Sequence, residues 1–201
     1  MSSKKNDVYL GLHKSIISGE IKPTEIINEG DLAQRYSVSR TPVREALLHL
    51  VADGLLTAVP RAGYIVTPIT IQDVQEAFHL REILEIEAVR LATPHITEKE
   101  LAILEKNKIG IPPELNPPYN REFHSVIARA SGSKRLSRLI SQLLDEMERI
   151  IIYDPFINHP PDSEEHQKII DALRVGDAGS AQIAMLGHLR SVQSRVLERF
   201  K

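Results

Sequence analysis

The sequence DLAQRYSVSRTPVREALLHLVADGLLTAVPRAGYIVT, residues 31–67, contains two helix patterns joined by a short turn and followed by a β-hairpin pattern. Asn28 is expected to cap the first helix and Ser39 the second, because both side chains can accept hydrogen bonds from free backbone N–H groups. Pro42 lies in the first turn of the second helix, where a missing N–H costs little. Apolar residues at helical spacing predict its buried face, namely Val43, Ala46, Leu47 and Leu50.

Two short β-prone runs, residues 55–59 and 64–67, flank Pro60-Arg61-Ala62-Gly63 and predict a hairpin with a tight tip. Together these elements predict a winged helix. Three polar side chains point away from the core at the start of the second helix, namely Arg40, Thr41 and Arg44. In helix-turn-helix proteins this end enters the DNA major groove, where a guanidinium can pair bidentately with guanine. The alternative is a solvated helix face, but the agreement of helices, turn and hairpin favours DNA binding.

Residues 37–47 (SVSRTPVREAL) and 52–56 (ADGLL) resemble the GntR family of bacterial transcription regulators, and the resemblance extends upstream through residues 17–23 (ISGEIKP). It implies that bases or adjacent phosphates are contacted by Arg40, Thr41 and Arg44. It further implies that the DNA backbone is approached by Arg35 and by the wing residues Arg61 and Gly63. A single recognition helix reads only a few base pairs, so we expect a homodimer on a palindromic double-stranded operator.

Composition narrows the remaining function classes. The chain has 201 residues and a formal net charge of -2, and residues 1–70 carry eight Lys and Arg against seven Asp and Glu. The basic groups of a DNA-binding unit must therefore be concentrated on one face. The absence of cysteine excludes disulfides, thiolate metal sites and a cysteine nucleophile. With no long apolar run and no signal-peptide pattern, we expect a cytoplasmic protein without membrane contact.

After Thr67-Pro68 the pattern changes to helical periodicity, which predicts a boundary between a winged helix at residues 1–69 and an all-α domain at residues 70–201. Thr70 is expected to cap the first helix of this second domain. The proline-rich segment 107–118 is predicted to be a loop. The other predicted helices run from about 97 to 106, 119 to 131 and 134 to 153, and a final pair is split by Gly176 and Gly179. The predicted fold class is mostly α.

Three histidines lie on inward-facing helix stripes, namely His124, His166 and His188, and Asn120 lies one helical turn before His124. Buried imidazoles need hydrogen bonds or a metal, and histidines that converge between helices are typical of a divalent metal site. The alternative, in which each ring is satisfied separately by a carbonyl or carboxylate, stays open. The spacing of the three histidines forms no recognisable short ligand motif.

Residues 120–124 (NREFH), 127–132 (IARASG), 165–173 (EHQKIIDAL) and 187–189 (GHL) resemble the FCD effector domain of the FadR-type GntR subgroup. The resemblance implies a metal ion, zinc or nickel, beneath a pocket for a small carboxylate effector. The implied ligands are Asn120, His124, His166 and His188, with Asn120 in place of the usual aspartate. Its uncharged amide can still coordinate, but with lower affinity and less preference for hard metals.

The same resemblance places Arg81 at the effector pocket, where its guanidinium could pair with a carboxylate. The alternative for Arg81 is a surface ion pair with Glu85, four residues further along the helix. We therefore expect a non-enzymatic transcription regulator whose operator affinity is controlled by a small organic acid. A metal-responsive regulator is an alternative. A metal-dependent hydrolase is a weaker one, because no general base is placed by motif beside the histidines.

Overall fold

The computed structural model describes residues 4–23, 25–108, 117–153 and 163–198, and only the backbone of residues 108, 117–120, 151–153 and 163. The chain divides into two compact units, Met1–Ile69 and Thr70–Lys201. None of the described helices combines the length and apolarity that crossing a membrane requires.

The first unit is a winged helix, as predicted. Its elements in chain order are α1 (Lys4–Ile17), α2 (Glu29–Arg35), α3 (Arg40–Ala52), β1 (Leu56–Val59) and β2 (Gly63–Val66). The strands pair antiparallel, with Leu56 opposite Val66 and Val59 opposite Gly63. An isolated bridge between Ile27 and Tyr64 adds the segment before α2 to the outer side of the hairpin.

The core of this unit is apolar and lies mainly between α1 and α3. The predicted inward face of α3 is confirmed, because its four apolar residues are fully buried. Other fully buried apolar side chains among the described residues of this unit are Val8, Leu12, Ile16 and Val66. Val38, in the turn between α2 and α3, packs against this core. Burial of this set is the main stabilising contribution, at about 25 cal/mol per Å² of apolar surface.

The two predicted helix caps in this unit are right in position but wrong in hydrogen bonding. Asn28 and Ser39 occupy the N-cap positions with extended backbones, yet neither side chain makes the capping hydrogen bond. The amide oxygen of Asn28 instead faces Gly63, where an added Cβ would lie 3.3 Å from it. Tertiary packing therefore defines the start of α2 more than local capping does.

The second unit is all-α. Its helices are α4 (Ile71–Ala92), α5 (Glu98–Lys108), α6 (Pro117–Ala130), α7 (Lys134–Tyr153), α8 (Ser163–Arg174) and α9 (Ala178–Glu198). Helix α4 packs against α6, α7 and α9, and α8 packs against α5 and α9. Thr70 caps α4 as predicted, through a reciprocal pair of hydrogen bonds with Asp73.

The predicted loop at residues 107–118 is shorter than the sequence suggested. Helix α5 continues to Lys108 and α6 already begins at Pro117, so both ends of the segment are helical. Proline is tolerated in the first turn of a helix because the N–H groups there have no intrahelical acceptor. The remainder of the predicted loop, residues 109–116, lies outside the described residues.

Gly63 should be indispensable for the folding of the wing. Its φ is +129°, and an added Cβ would lie 2.5 Å from the carbonyl oxygen of Ile27. Gly54 is a matched control, since its φ is +74° and an added Cβ would meet nothing within 4 Å. We expect Gly54→Ala to cost about 1 kcal/mol from backbone strain alone. Gly63→Ala should cost clearly more, because a steric clash adds to the strain.

Hydrogen exchange at the core amides of α3 measures the opening free energy of this unit in each variant. Equal losses in the two variants would contradict the close approach of Gly63 to Ile27.

Candidate functional site

Three histidines from three helices meet in the core of the second unit. His124 lies on α6, His166 on α8 and His188 on α9, and each is at most 1% exposed. One ring nitrogen of each lies within 4.8 Å of those of the other two. We call these residues the histidine cluster. The side chain of Asn120, predicted as a fourth ligand, lies outside the described residues.

Carboxylates fix the orientation of two of the three rings. The Nδ1–H of His124 donates to Oε2 of Glu85, and the Nδ1–H of His188 donates to Oε2 of Glu165 at 2.9 Å. These bonds leave Nε2 of each ring with its lone pair, and the two Nε2 atoms lie 3.3 Å apart. Two nitrogens bound to one tetrahedral zinc at about 2.0–2.1 Å lie roughly that far apart. The pair therefore has the spacing that a shared cation requires.

The third ring, His166, is held by stacking. It lies parallel to Phe123, with ring centroids 3.9 Å apart and planes inclined by 12°. Neither ring nitrogen has a hydrogen-bond partner among the described residues. Burial and the two neighbouring histidines lower the pKa of His166 well below its usual value, so the ring is neutral. A buried polar group without a partner costs free energy. A neutral imidazole in this situation can gain a partner by binding a metal ion through its lone pair.

A buried ion pair on α4 borders the histidine cluster. Nε of Arg81 donates to Oε1 of Glu85 at 2.6 Å, and each residue is 2% exposed. The Nη2 atom of Arg81 lies 3.4 Å from Nε2 of His124. The ion pair that the sequence offered as an alternative for Arg81 is therefore present. It is wrong only in its predicted surface location, because α4 turns this stripe toward the core.

Electrostatics keep Glu85 ionised despite its burial. Burial alone raises the pKa of Glu85, but the Arg81 guanidinium and the His124 ring outweigh it and lower the pKa to about 2. The opposite balance applies to His188: burial lowers its pKa to about 4, against the hydrogen bond with Glu165. At neutral pH the cluster thus offers the neutral imidazoles of His166 and His188 beside carboxylates whose charges offset that of a bound cation.

Glu85 and Glu165 were not predicted as part of the site. From the sequence, Glu85 was considered only as a surface ion-pair partner of Arg81, and Glu165 only as the residue before His166 in the EHQKIIDAL motif. Their contacts with His124 and His188 join residues 39 and 23 positions apart in the chain. Such partners become apparent only when the helices are packed.

The predicted DNA-facing residues lie on the surface of the first unit. Arg40, Thr41 and Arg44 are exposed at the N-terminal end of α3, and Arg35 is exposed on α2. Arg61 is exposed at the wing tip with a φ of +63°, which a non-glycine residue rarely adopts. Gly63 is half-buried against Ile27, so its close approach to another chain segment already explains this glycine.

Comparison with known proteins places both units in one class. The sequence profile of bacterial regulatory proteins of the gntR family matches residues 4–66, and that of the FCD domain matches residues 76–191. The chain is 32% identical over 190 residues to the HTH-type transcriptional regulator YdhC of Bacillus subtilis (strain 168). That alignment covers 90% of this chain and 85% of YdhC.

A second relative and a solved structure agree with this assignment. The HTH-type transcriptional repressor RspR of Escherichia coli (strain K12) is 26% identical over 198 residues, with 94% of this chain and 87% of that protein covered. The fold of E. coli McbR/YncC is similar over 100% of both chains, with a TM-score of 0.83 and 24% identity. The mostly α fold predicted from the sequence, with an N-terminal winged helix and a C-terminal helical domain, is thereby confirmed.

Without a bound metal, the unsatisfied ring of His166 should destabilise the protein. Replacing this ring in His166→Leu is expected to raise the free energy of unfolding of chelator-treated protein by on the order of 1 kcal/mol. The matched variant His124→Leu leaves Oε2 of buried Glu85 without its donor, although Arg81 still donates to Oε1, and should lower the free energy of unfolding by on the order of 2 kcal/mol. Urea denaturation of both variants measures the difference. A loss of stability in His166→Leu equal to that in His124→Leu would show that the His166 ring is already satisfied.

Proposed function

The chain belongs to the GntR family of bacterial regulatory proteins and is a transcription regulator with an FCD domain; we propose that a metal ion and a small carboxylate effector, bound in the FCD domain, control its affinity for DNA. The observation that carries this proposal is the histidine cluster, in which three buried imidazoles converge and one of them, His166, has no hydrogen-bond partner among the described residues. In this proposal residues 1–69 bind DNA and residues 70–201 sense the effector and dimerise.

His124, His166 and His188 would hold the ion, with the amide oxygen of Asn120 as a fourth ligand. Neutral imidazoles suit zinc and nickel. The carboxylates of Glu85 and Glu165 would hold the Nδ1–H groups of two ligands, which orients the rings and raises their basicity. A bound ion supplies a positive centre at which a carboxylate oxygen of the effector can coordinate.

Arg81 would provide the second contact with the effector. Glu85 accepts from Nε of its guanidinium, and Nη2 lies 3.4 Å from Nε2 of His124, at the edge of the histidine cluster. Arginine suits carboxylates because two parallel N–H groups match their two oxygens. The pairing with Glu85 holds this buried guanidinium in place before any ligand arrives.

DNA binding would use Arg40, Thr41 and Arg44 in the major groove, with Arg35, Arg61 and Gly63 near the backbone. Two copies of the chain would bind a palindromic operator in the cytoplasm, where the chromosome lies. Effector binding would change the relative placement of the two DNA-binding units in the homodimer. A coupling free energy of about 1 to 3 kcal/mol changes operator affinity roughly 5- to 150-fold.

A metal-responsive regulator is the second candidate. The short distance from Nε2 of His124 to Nε2 of His188 favours it, because one cation between these two atoms would bind both rings without an organic ligand. A metal sensor changes its DNA affinity with metal alone, whereas an acid sensor needs the acid as well. The hydrolase considered from the sequence has no such support, since the relatives are transcription regulators.

Metal content tests the site directly. Elemental mass spectrometry of tag-free protein should find about one zinc or nickel ion per chain. A chelator should remove this ion and lower the unfolding temperature of the protein. His124→Ala should bind no ion, and a chelator should leave its unfolding temperature unchanged. His79→Ala, which changes an exposed histidine on α4, should keep both the ion and the response to the chelator. Absence of metal after addition of zinc or nickel would refute the metal part of the proposal.

Arg61 tests the DNA-binding part without disturbing the fold. Glycine tolerates the φ of +63° better than arginine does, so Arg61→Gly should unfold at an equal or higher temperature. Its affinity for duplex DNA should nevertheless fall, and the slope of log affinity against log salt should decrease by about 1 if one phosphate contact is lost. The duplex used is the consensus that the wild-type protein selects from a randomised pool. Unchanged affinity and salt slope would exclude Arg61 from the interface.

A further inference from the structure

Arg44, on the exposed face of α3, is held by a carboxylate from the neighbouring helix. Its Nε donates to Oε1 of Glu29 at 2.8 Å and its Nη2 donates to Oε2 at 2.7 Å. The side chain of Arg44 is 61% exposed, whereas that of Glu29 is only 20% exposed. The carboxylate of Glu29 is therefore mostly shielded by the protein, whereas the guanidinium of Arg44 is open to solvent.

Glu29 also lies next to the wing. The Tyr64 side chain, on β2, is close enough to the same carboxylate to help lower its pKa. The backbone of Tyr64 in turn bridges to Ile27, two residues before Glu29. The hydrogen bond from Arg44 lowers the pKa of Glu29, so the carboxylate is charged at neutral pH. Glu29 thus links α2, α3 and the wing at one point of the DNA-facing surface.

The geometry of the pair leaves one edge of the guanidinium for DNA. Glu29 occupies the edge formed by Nε and one hydrogen of Nη2. The adjacent edge of the guanidinium is formed by Nη1 and the second hydrogen of Nη2. It carries two parallel donors that match O6 and N7 of guanine. Arg44 can therefore read a guanine without leaving Glu29. Holding the long side chain beforehand also reduces the conformational entropy lost on binding.

The second arginine–glutamate pair on this unit has a different character. Nη2 of Arg35 contacts Oε1 of Glu20 at 3.2 Å, and the two side chains are 54% and 58% exposed. Ser15 also donates to Oε2 of Glu20 at 2.7 Å, but the exposed guanidinium of Arg35 is held by Glu20 at one point only. This pair serves as a control for the effect of removing one negative charge from the same unit.

From this geometry we propose that Glu29 is a positioning residue that makes Arg44 specific for guanine in the operator. The inference rests on the proposed contact between Arg44 and DNA bases and adds the source of its specificity. Without Glu29 the guanidinium can rotate and contact phosphates or other acceptors, so binding continues but discrimination at that base pair is lost.

The test compares full-length Glu29→Gln with Glu20→Gln. The probes are the consensus duplex selected by the wild-type protein from a randomised pool, and a set of duplexes in which each base pair is changed symmetrically in both half-sites. We expect Glu29→Gln to lose discrimination by on the order of 10-fold at one G·C pair per half-site. Glu20→Gln should keep the discrimination at every pair.

Arg44 variants identify which base pair is concerned. Arg44→Ala should lose discrimination at the same G·C pair, and adding Glu29→Gln to Arg44→Ala should have no further effect there. Glu29→Asp keeps the charge but withdraws the carboxylate by one methylene group, so a loss at that pair in Glu29→Asp cannot arise from charge alone. It also provides a folded variant if Glu29→Gln loses thermal stability.

Three outcomes would overturn the proposal in distinguishable ways. If Glu29→Gln binds all duplexes more tightly by one common factor, Glu29 acts only as a repelling charge. If Arg44→Ala loses discrimination at one pair while Glu29→Gln and Glu29→Asp keep it, Arg44 reads DNA without being positioned by Glu29. If Arg44→Ala keeps discrimination at every pair, the proposed base contact of Arg44 is wrong and the inference fails with it.

Discussion

The ion pair of Arg81 and Glu85 is the constraint to which the core of the FCD domain must adapt. Both side chains are buried on α4, the helix against which α6, α7 and α9 pack. Removing one partner from such a pair costs about 3–5 kcal/mol, because the other charge stays buried without compensation. Glu85 also accepts the hydrogen bond from His124. The same carboxylate therefore neutralises the buried charge of Arg81 and orients the ring of His124. The packing of α6 on α4 is therefore tied to the geometry of the site.

Both units use a carboxylate to hold a functional side chain, but with different energetic consequences. Glu85 and Glu165 orient His124 and His188 in the protein interior, where an unsatisfied polar group is costly. Glu29 orients Arg44 at the surface, where an ion pair contributes only about 0–1 kcal/mol to stability. The buried contacts are therefore part of the folding energy. The exposed contact is nearly neutral for folding, which makes a role in recognition the better explanation of its two-point geometry.

Several features of the site follow from the sequence and several do not. The three histidines could be assigned to inward-facing stripes because apolar residues one helical turn away mark those stripes. Arg81 was placed at the pocket only by the family resemblance, and its alternative was a surface ion pair, whereas the structure buries it. The caps at Asn28 and Ser39 were predicted in the right positions with the wrong hydrogen bonds, since a side chain that can cap a helix can equally turn to another partner. The carboxylates beside His124 and His188 were missed, because their contacts span many residues of chain.

The sequence by itself determined the local structure: the winged helix, the helical periodicity of the second domain, the capped start of α4 at Thr70 and the buried faces of α3 and of the helices that carry the three histidines. These features depend on residues a few positions apart, whose geometry is set by the period of the helix or strand. Only the tertiary structure decided which of the inward-facing residues meet. Three contacts of this kind join different elements. They are the 3.3 Å distance between the Nε2 atoms of His124 and His188, the two hydrogen bonds of Arg44 with Glu29, and the close approach of Ile27 to Gly63 that leaves no room for a side chain. Helical period specifies a direction for each side chain, but the partner in that direction depends on how the helices and the wing pack together.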